Sequence, residues 1–242
     1  MAVEKAGEGG SSVPATPQSF VTALAPQLAR GLFAERWRTP EPWLALLSEH
    51  EGGRRYLSLV GLLAPDAALA LQRAVKQLPF SILKTELLTA RRCLLDRAAP
   101  SPVDKWLEAM ASPIFRGLCG LVLGRELPGG LVVNAWRLQQ HDYMGVHPDG
   151  VYYRGTFSLG LNPAWDPAMG GAIAFGDPGP DGFEIAERWY PHLGDALLFA
   201  PDVDTWHCVE PVIGQNVRFS LTGWWVEPEN TLSYSHIPAA TQ

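Results

Sequence analysis

The stretch GAIAFGDPGPDGFEIAERW, residues 171–189, decides how the chain is read. Two short β-like runs, Gly171–Phe175 and Phe183–Trp189, flank the turn cluster GDPGPDG. Proline and glycine at that density break a helix and favour tight reversals. Working outward, the same texture fills the chain after Pro128-Gly129-Gly130. Further β-like runs lie at Leu131–Gln139, Tyr152–Leu161, Ala196–Phe199, Thr205–Val209 and Val217–Val226, with NPAWDP and IGQN among the separators. Many short strands at this spacing predict a β-sandwich or barrel such as a jelly roll. The first half reads differently. Phe20, Leu24, Leu28 and Leu32 predict a helix over 19–35. A short helix follows Pro40-Glu41-Pro42, another opens at Pro65-Asp66, and 102–123 reads as helical. Residues 55–63 are β-like, and 81–95 fit either state.

Bulk composition mainly excludes. The 242 residues carry a net charge of −6, with 24 Gly and 21 Pro but no collagen period, so a fibrous or disordered class does not fit. An acidic chain without a basic run argues against nucleic acid as a partner. Three separated cysteines make neither a disulfide framework nor a zinc site, and a cytoplasmic setting is the simplest expectation. No stretch is long and apolar enough for a membrane span. The oligomeric state is not readable.

The segment Tyr143-Met-Gly-Val-His147-Pro-Asp149-Gly150 carries chemistry. Residues i and i+2 of a strand share a face, so His147 and Asp149 can converge on one metal ion. Alone, such a pair arises often by chance. His207, in the run Thr205–Val209, supplies a second imidazole, and two His with one carboxylate form the facial triad of non-haem Fe(II) oxygenases. Eleven residues on, past a turn, Arg218 shares a strand face with Ser220, Thr222 and Trp224. A planar, always-charged fork beside hydroxyls suits a distal carboxylate.

From Leu131 to Val226 the sequence resembles the Fe(II)- and 2-oxoglutarate-dependent dioxygenases, on their prolyl-4-hydroxylase-like side. The resemblance rests on His147 to Asp149, Leu161-Asn162-Pro163, Trp165-Asp166, Gly170 to Phe175, Gly194-Asp195, His207, Pro211-Val212 and Arg218 to Ser220. It implies an α+β fold with a double-stranded β-helix (jelly-roll) core and N-terminal helices packed on it. The corresponding organisation is a disordered tail (1–18), a helical part with leading strands (19–128), a jelly-roll catalytic core (129–228) and a C-terminal tail (229–242). By resemblance, His147, Asp149 and His207 bind Fe(II), and Arg218 holds the 2-oxoglutarate C5 carboxylate with Ser220 or Thr222 assisting. O2 is the co-reactant, and ascorbate an optional addition. Relatives often place a Tyr nine residues before the first His. Here Leu138 stands there, leaving Gln139, Gln140 or Tyr143 as substitutes. Asp149 retains the acidic ligand that related halogenases replace, which favours hydroxylation.

The substrate implied is a small molecule or a peptidyl residue, an amino acid or aminoacyl group with proline first. Tyr143, Arg137, Arg154 and Trp224 are its candidate contacts. The competing reading is a cupin-like barrel that binds a metal or small molecule without oxygenation. It leaves Arg218 and Ser220 without a task.

Overall fold

The structure is a computed structural model describing residues 16–95, 101–150, 152–202 and 204–227. Most of the expected tail at 1–18 and all of that at 229–242 lie outside the described residues; Pro17 and Gln18 are already helical. Five helices are present among the described residues: α1 (Pro17–Leu24), α2 (Pro40–Glu51), α3 (Pro65–Val75), α4 (Ser101–Ala111) and α5 (Pro113–Val122). Proline opens all but α4, where its missing N–H falls on a group without an intrahelical partner anyway. Thr16 and Ser112 cap α1 and α5 by accepting from the backbone N–H of Ser19 and Phe115.

Two helical expectations are corrected by proline. The helix over 19–35 stops at Leu24, and Pro26 turns the chain through a short 3-10 segment, Ala25–Gln27. A proline ring there crowds the carbonyl four residues back and offers it no donor. The helix over 102–123 breaks at Ser112-Pro113 into α4 and α5. Of 55–63 only β1 (Leu57–Leu59) is strand, and 81–95 is a hairpin of β2 (Ser81–Lys84) and β3 (Leu88–Leu95).

The remaining strands are β4 (Gly130–Leu138), β5 (Tyr143–Pro148), β6 (Tyr153–Gly160), β7 (Ile173–Gly179), β8 (Gly182–Trp189), β9 (Ala196–Phe199), β10 (Trp206–Val209) and β11 (Arg218–Val226). They form one antiparallel sheet in the order β1-β9-β6-β11-β4-β3-β5-β10-β7-β8, with β2 on β3. The sheet curls so that distant strands face each other: Phe199 on β9 lies edge-on to Phe175 on β7, centroids 5.2 Å apart. This is the double-stranded β-helix, in an α+β chain. β1 and β3, which precede residue 129, pair with β9, β4 and β5, so the sheet is continuous across that boundary.

Alternation along β11 divides the molecule into two apolar cores. Phe219, Leu221 and Trp225 belong to the outer core with the helices. There Trp225 sits 5.0 Å from Phe157 on β6 and 6.3 Å from Phe115 on α5. A second, interior core contains Trp136, Leu138, Phe175, Leu197 and Phe199.

Gly160 ends β6 where the chain at Pro191 and His192 passes too closely for any side chain; an added Cβ would meet that backbone. Its N–H donates to Asp195 O, and its carbonyl accepts from Gly194 N–H. Backbone cannot swing aside as a side chain can. Gly160→Ala should therefore lower the unfolding free energy by about 1–3 kcal/mol, read from the urea midpoint.

Candidate active site

The interior core surrounds a cavity lined by His147, Asp149, His207 and Arg218. β5 and β10 run antiparallel with His147 and His207 as direct Cα partners, which sets both imidazoles on the inner face. Their rings lie 4.4 Å apart. Asp149 follows directly after β5 ends at Pro148, and its Oδ1 stands 3.9 Å from His147 Nε2 and 3.8 Å from His207 Nε2. One potential ligand atom from each residue falls within 4.8 Å of the others.

Hydrogen bonds fix which atom each residue presents. His147 Nδ1 lies 2.8 Å from Gly145 O, and His207 Nδ1 lies 3.1 Å from Thr205 O. A carbonyl can only accept, so Nδ1 carries the proton in both rings and the Nε2 lone pair is free for a metal. Burial pushes the His207 imidazolium pKa below its usual value, against the opposing pull of Asp149, and so favours the neutral form that a metal requires. The outer oxygen of Asp149 is held as well: Oδ2 accepts from Thr156 Oγ1 at 2.7 Å and from Trp224 Nε1 at 3.1 Å. Oδ1 is left facing the two imidazoles.

Arg218 stands at the other end of the cavity, 2% exposed. Its Nη1 donates to Ser220 Oγ at 2.8 Å, and its Nε is buried without a hydrogen-bond partner among the described residues. No carboxylate pairs with it there. Burial alone lowers its pKa to about 10. Gly171, at φ +67°, keeps this space open: a Cβ would press on Arg218 Cδ at 3.1 Å.

Of the sequence-derived candidates, the fold brings together His147, Asp149, His207, Arg218, Thr222 and Trp224. Ser220 is reached through Arg218. The other three are elsewhere. Tyr143 is half-buried on β5 beside Thr89 and outside the cavity lining. Arg154 is exposed on β6. Arg137 lies on the outer face of β4, because its neighbours Trp136 and Leu138 take the inner one. Leu138 is the Cα partner of Arg218 and is buried, so an apolar side chain occupies that wall. Gln139, Gln140 and Tyr143 do not take its place in the lining.

Two polar lining residues escaped the sequence reading, Thr156 and Ser158 on β6. Ser158 shares a hydrogen bond of 3.2 Å with Thr222. The available signal was two hydroxyl residues at i and i+2 within an otherwise apolar strand, which marks a polar stripe on a buried face.

Residues 133–226 match the family model of the 2OG-Fe(II) oxygenase superfamily. No curated relative matches the sequence. Among solved structures, a prolyl-4-hydroxylase from Pseudomonas putida is similar at TM-score 0.60 and 21% identity, covering 75% of this chain and 98% of its own. A prolyl hydroxylase from Trichoplax adhaerens, solved with a peptide fragment of the hypoxia inducible factor oxygen degradation domain, is similar at TM-score 0.63 and 14% identity. It covers 86% of this chain and 98% of its own. The non-heme alpha-ketoglutarate-dependent epimerase SnoN from nogalamycin biosynthesis is similar at TM-score 0.57 and 13% identity, covering 78% and 84%. At these identities the likeness speaks for the fold. The matched segment contains the His-Asp-His cluster within the jelly roll, and its likeness is to the class of 2-oxoglutarate-dependent non-haem Fe(II) oxygenases.

The residues present fit the groups that class requires. Two imidazole nitrogens and one carboxylate oxygen are a donor set for Fe(II) with positions left open. The unpaired Arg218 matches a diacid's far carboxylate.

A buried cation without a counter-charge destabilises the ligand-free fold. The cost is fully present below the folded pKa of about 10 and shrinks as pH rises from there towards the ordinary, higher value of a free guanidinium. Arg218→Met should therefore stabilise the ligand-free chain by about 1–3 kcal/mol at neutral pH, measured by denaturant unfolding.

Proposed function

We propose that the chain hydroxylates an unactivated C–H bond of an amino acid or aminoacyl residue, with proline the first candidate. In this reading His147 Nε2, Asp149 Oδ1 and His207 Nε2 hold Fe(II), and Arg218 holds the far carboxylate of 2-oxoglutarate. The observation that carries it is the unpaired Arg218 guanidinium, buried in the same cavity as the His-Asp-His cluster. A barrel that only bound a metal would leave that charge uncompensated, so the cupin-like alternative is not favoured.

Fe(II) with 2-oxoglutarate and O2 supplies the oxidation, releasing succinate and CO2. The chain's own residues do the positioning. Arg218 offers a planar fork to the carboxylate, and its hydrogen bond to Ser220 limits how the fork can turn. Thr222 presents a hydroxyl further along the same inner face. Thr156 and Trp224 hold the outer oxygen of Asp149, which leaves Oδ1 to the metal and fixes the carboxylate plane. Phe199, Ile173 and Val209 make the remaining wall apolar and keep water from the reacting centre. Arg218 and Asp149 therefore serve opposite ends of one elongated diacid site.

The proline preference is supported by the prolyl hydroxylases among the fold neighbours. Trp136 and Trp224 offer flat surfaces in the lining against which a ring can lie.

The deciding experiment is succinate release with Fe(II), 2-oxoglutarate and a panel of free amino acids and short peptides, with mass spectrometry for one added oxygen. Asp149→Ala should abolish turnover; normal succinate production by that variant would sink the ligand assignment. Arg218→Met should lose the charge-transfer band that 2-oxoglutarate gives with the anaerobic Fe(II) protein. Thr156→Val leaves Asp149 Oδ2 with Trp224 as its single donor. It should weaken Fe(II) binding about tenfold or more, measured by equilibrium dialysis.

A further inference from the structure

We propose that the outer face of the sheet carries a second anion-binding site, built on Lys76 and Arg137, for a small molecule bearing a carboxylate or phosphate. The site is a cavity of about 450 Å³ between the end of α3, the outer face of β4, the loop after β6 and the turn before β11. Among the described residues its walls hold no Asp or Glu, and the formal charges there are these two cations, in a chain whose net charge is −6.

Other arginines, Arg92 on the next strand among them, also show no ion pair, but Arg137, like Arg218, differs from them in having its Nε buried without a hydrogen-bond partner among the described residues. On the next strand its Cα partner Arg91 is paired with Asp142 at 2.7 Å. Arg38, Arg55, Arg125 and Arg188 each have a carboxylate as well. Among the described residues none pairs with Arg137, and its Nε is buried without a hydrogen-bond partner. A guanidinium atom removed from water and left unbonded costs free energy that an oxyanion would recover.

Geometry brings the second cation to the same place. Phe219 is the Cα partner of Arg137 across β11 and β4, and Lys76 Nζ lies 5.7 Å from the Phe219 ring centroid. The ring therefore lies beside both charges and offers an apolar surface for a ligand's body. The frame around them is fixed. Gln72 Nε2 donates to Leu161 O at 2.8 Å, tying α3 to the loop. Asn162 Nδ2 donates to Phe219 O at 2.9 Å, and its Oδ1 accepts from Phe219 N–H at 2.8 Å. The volume suits a small organic anion. Arg218 is not among the residues lining this cavity, and Lys76 and Arg137 are not among those lining the other, so the inference stands independently of the iron-site reading.

Citrate and inorganic phosphate, titrated calorimetrically into the full chain, test it. At least one should bind at one site per chain. Lys76→Gln and Arg137→Gln should each weaken it about tenfold, while Arg218→Met leaves it unchanged. Citrate alone binding identifies a carboxylate ligand, and phosphate alone a phosphate-bearing one. Failure of both probes to bind overturns the proposal. So does binding that survives both outer-face substitutions, or that disappears with Arg218→Met. Should Arg137→Gln not fold, Lys76→Glu, at an exposed position, must abolish binding; retained affinity in that variant counts equally against the site.

Discussion

The register of β11 between β4 and β6 is the constraint on which the rest of the molecule depends. The strand is paired along its length on one side to β4, from Arg218 opposite Leu138 to Val226 opposite Gly130, and on the other to β6. Its odd-numbered residues face the helices and its even-numbered residues face the cavity. A slip of one residue would carry Arg218 out of the barrel and put Phe219 in its place, and Trp224 would leave Asp149. Gly223 secures the choice: the Phe157 ring lies where its side chain would be, so the large outer aromatic fits opposite one strand position only. The apolar stability of the outer face thereby fixes the polar geometry of the inner one.

That division explains why the jelly roll tolerates a buried charge. The two cores contribute apolar burial on both sides of the sheet, and the free energy so gained can offset one uncompensated guanidinium. The His-Asp-His cluster does not rely on a similar surplus. Each imidazole is oriented by a carbonyl of its own strand segment two residues away, and Asp149 by donors from β6 and β11. The ligand atoms are thus set by local backbone and by rigid strands, the arrangement that holds a metal site most tightly.

Much of this was legible in the sequence, for identifiable reasons. Strands of the second half carry period-two patterning and hard stops at Gly and Pro, and β9 falls at 196–199 as read. The convergence of His147, Asp149, His207 and Arg218 on one cavity was expected from the sequence, but not by the route read there: β10 and β11 do not pair as strand, turn and return, since β10 lies between β5 and β7 and β11 between β4 and β6. The helices were overextended because apolar spacing ignores a single proline: Leu28 is buried although it is not in a helix, so its place in the pattern misleads. Substrate contacts were less legible. Arg137, Arg154 and Tyr143 are near the motifs in sequence, but one residue along a strand reverses the face. Thr156 lies in a strand that a reader takes for apolar core, and only the folded register reveals that it meets Asp149.

The same reversal of faces bears on how the two unpaired arginines relate. Arg218 and Arg137 sit on adjacent strands one register step apart, yet point to opposite sides of the sheet. Phe219 is the junction: it is the Cα partner of Arg137 and the covalent neighbour of Arg218, and both of its backbone polar groups are held by Asn162. A ligand that ordered the outer cavity would act on the peptide units that carry Arg218 inward, with no movement of the sheet required. Trp165 is a second link, since it lines the outer cavity and packs in the interior core beside Gly171. Arg218 is buried whole and Arg137 is half-buried, but in both the guanidinium Nε is buried without a hydrogen-bond partner among the described residues. An anion on each side would give both Nε atoms the partner that the described residues do not supply.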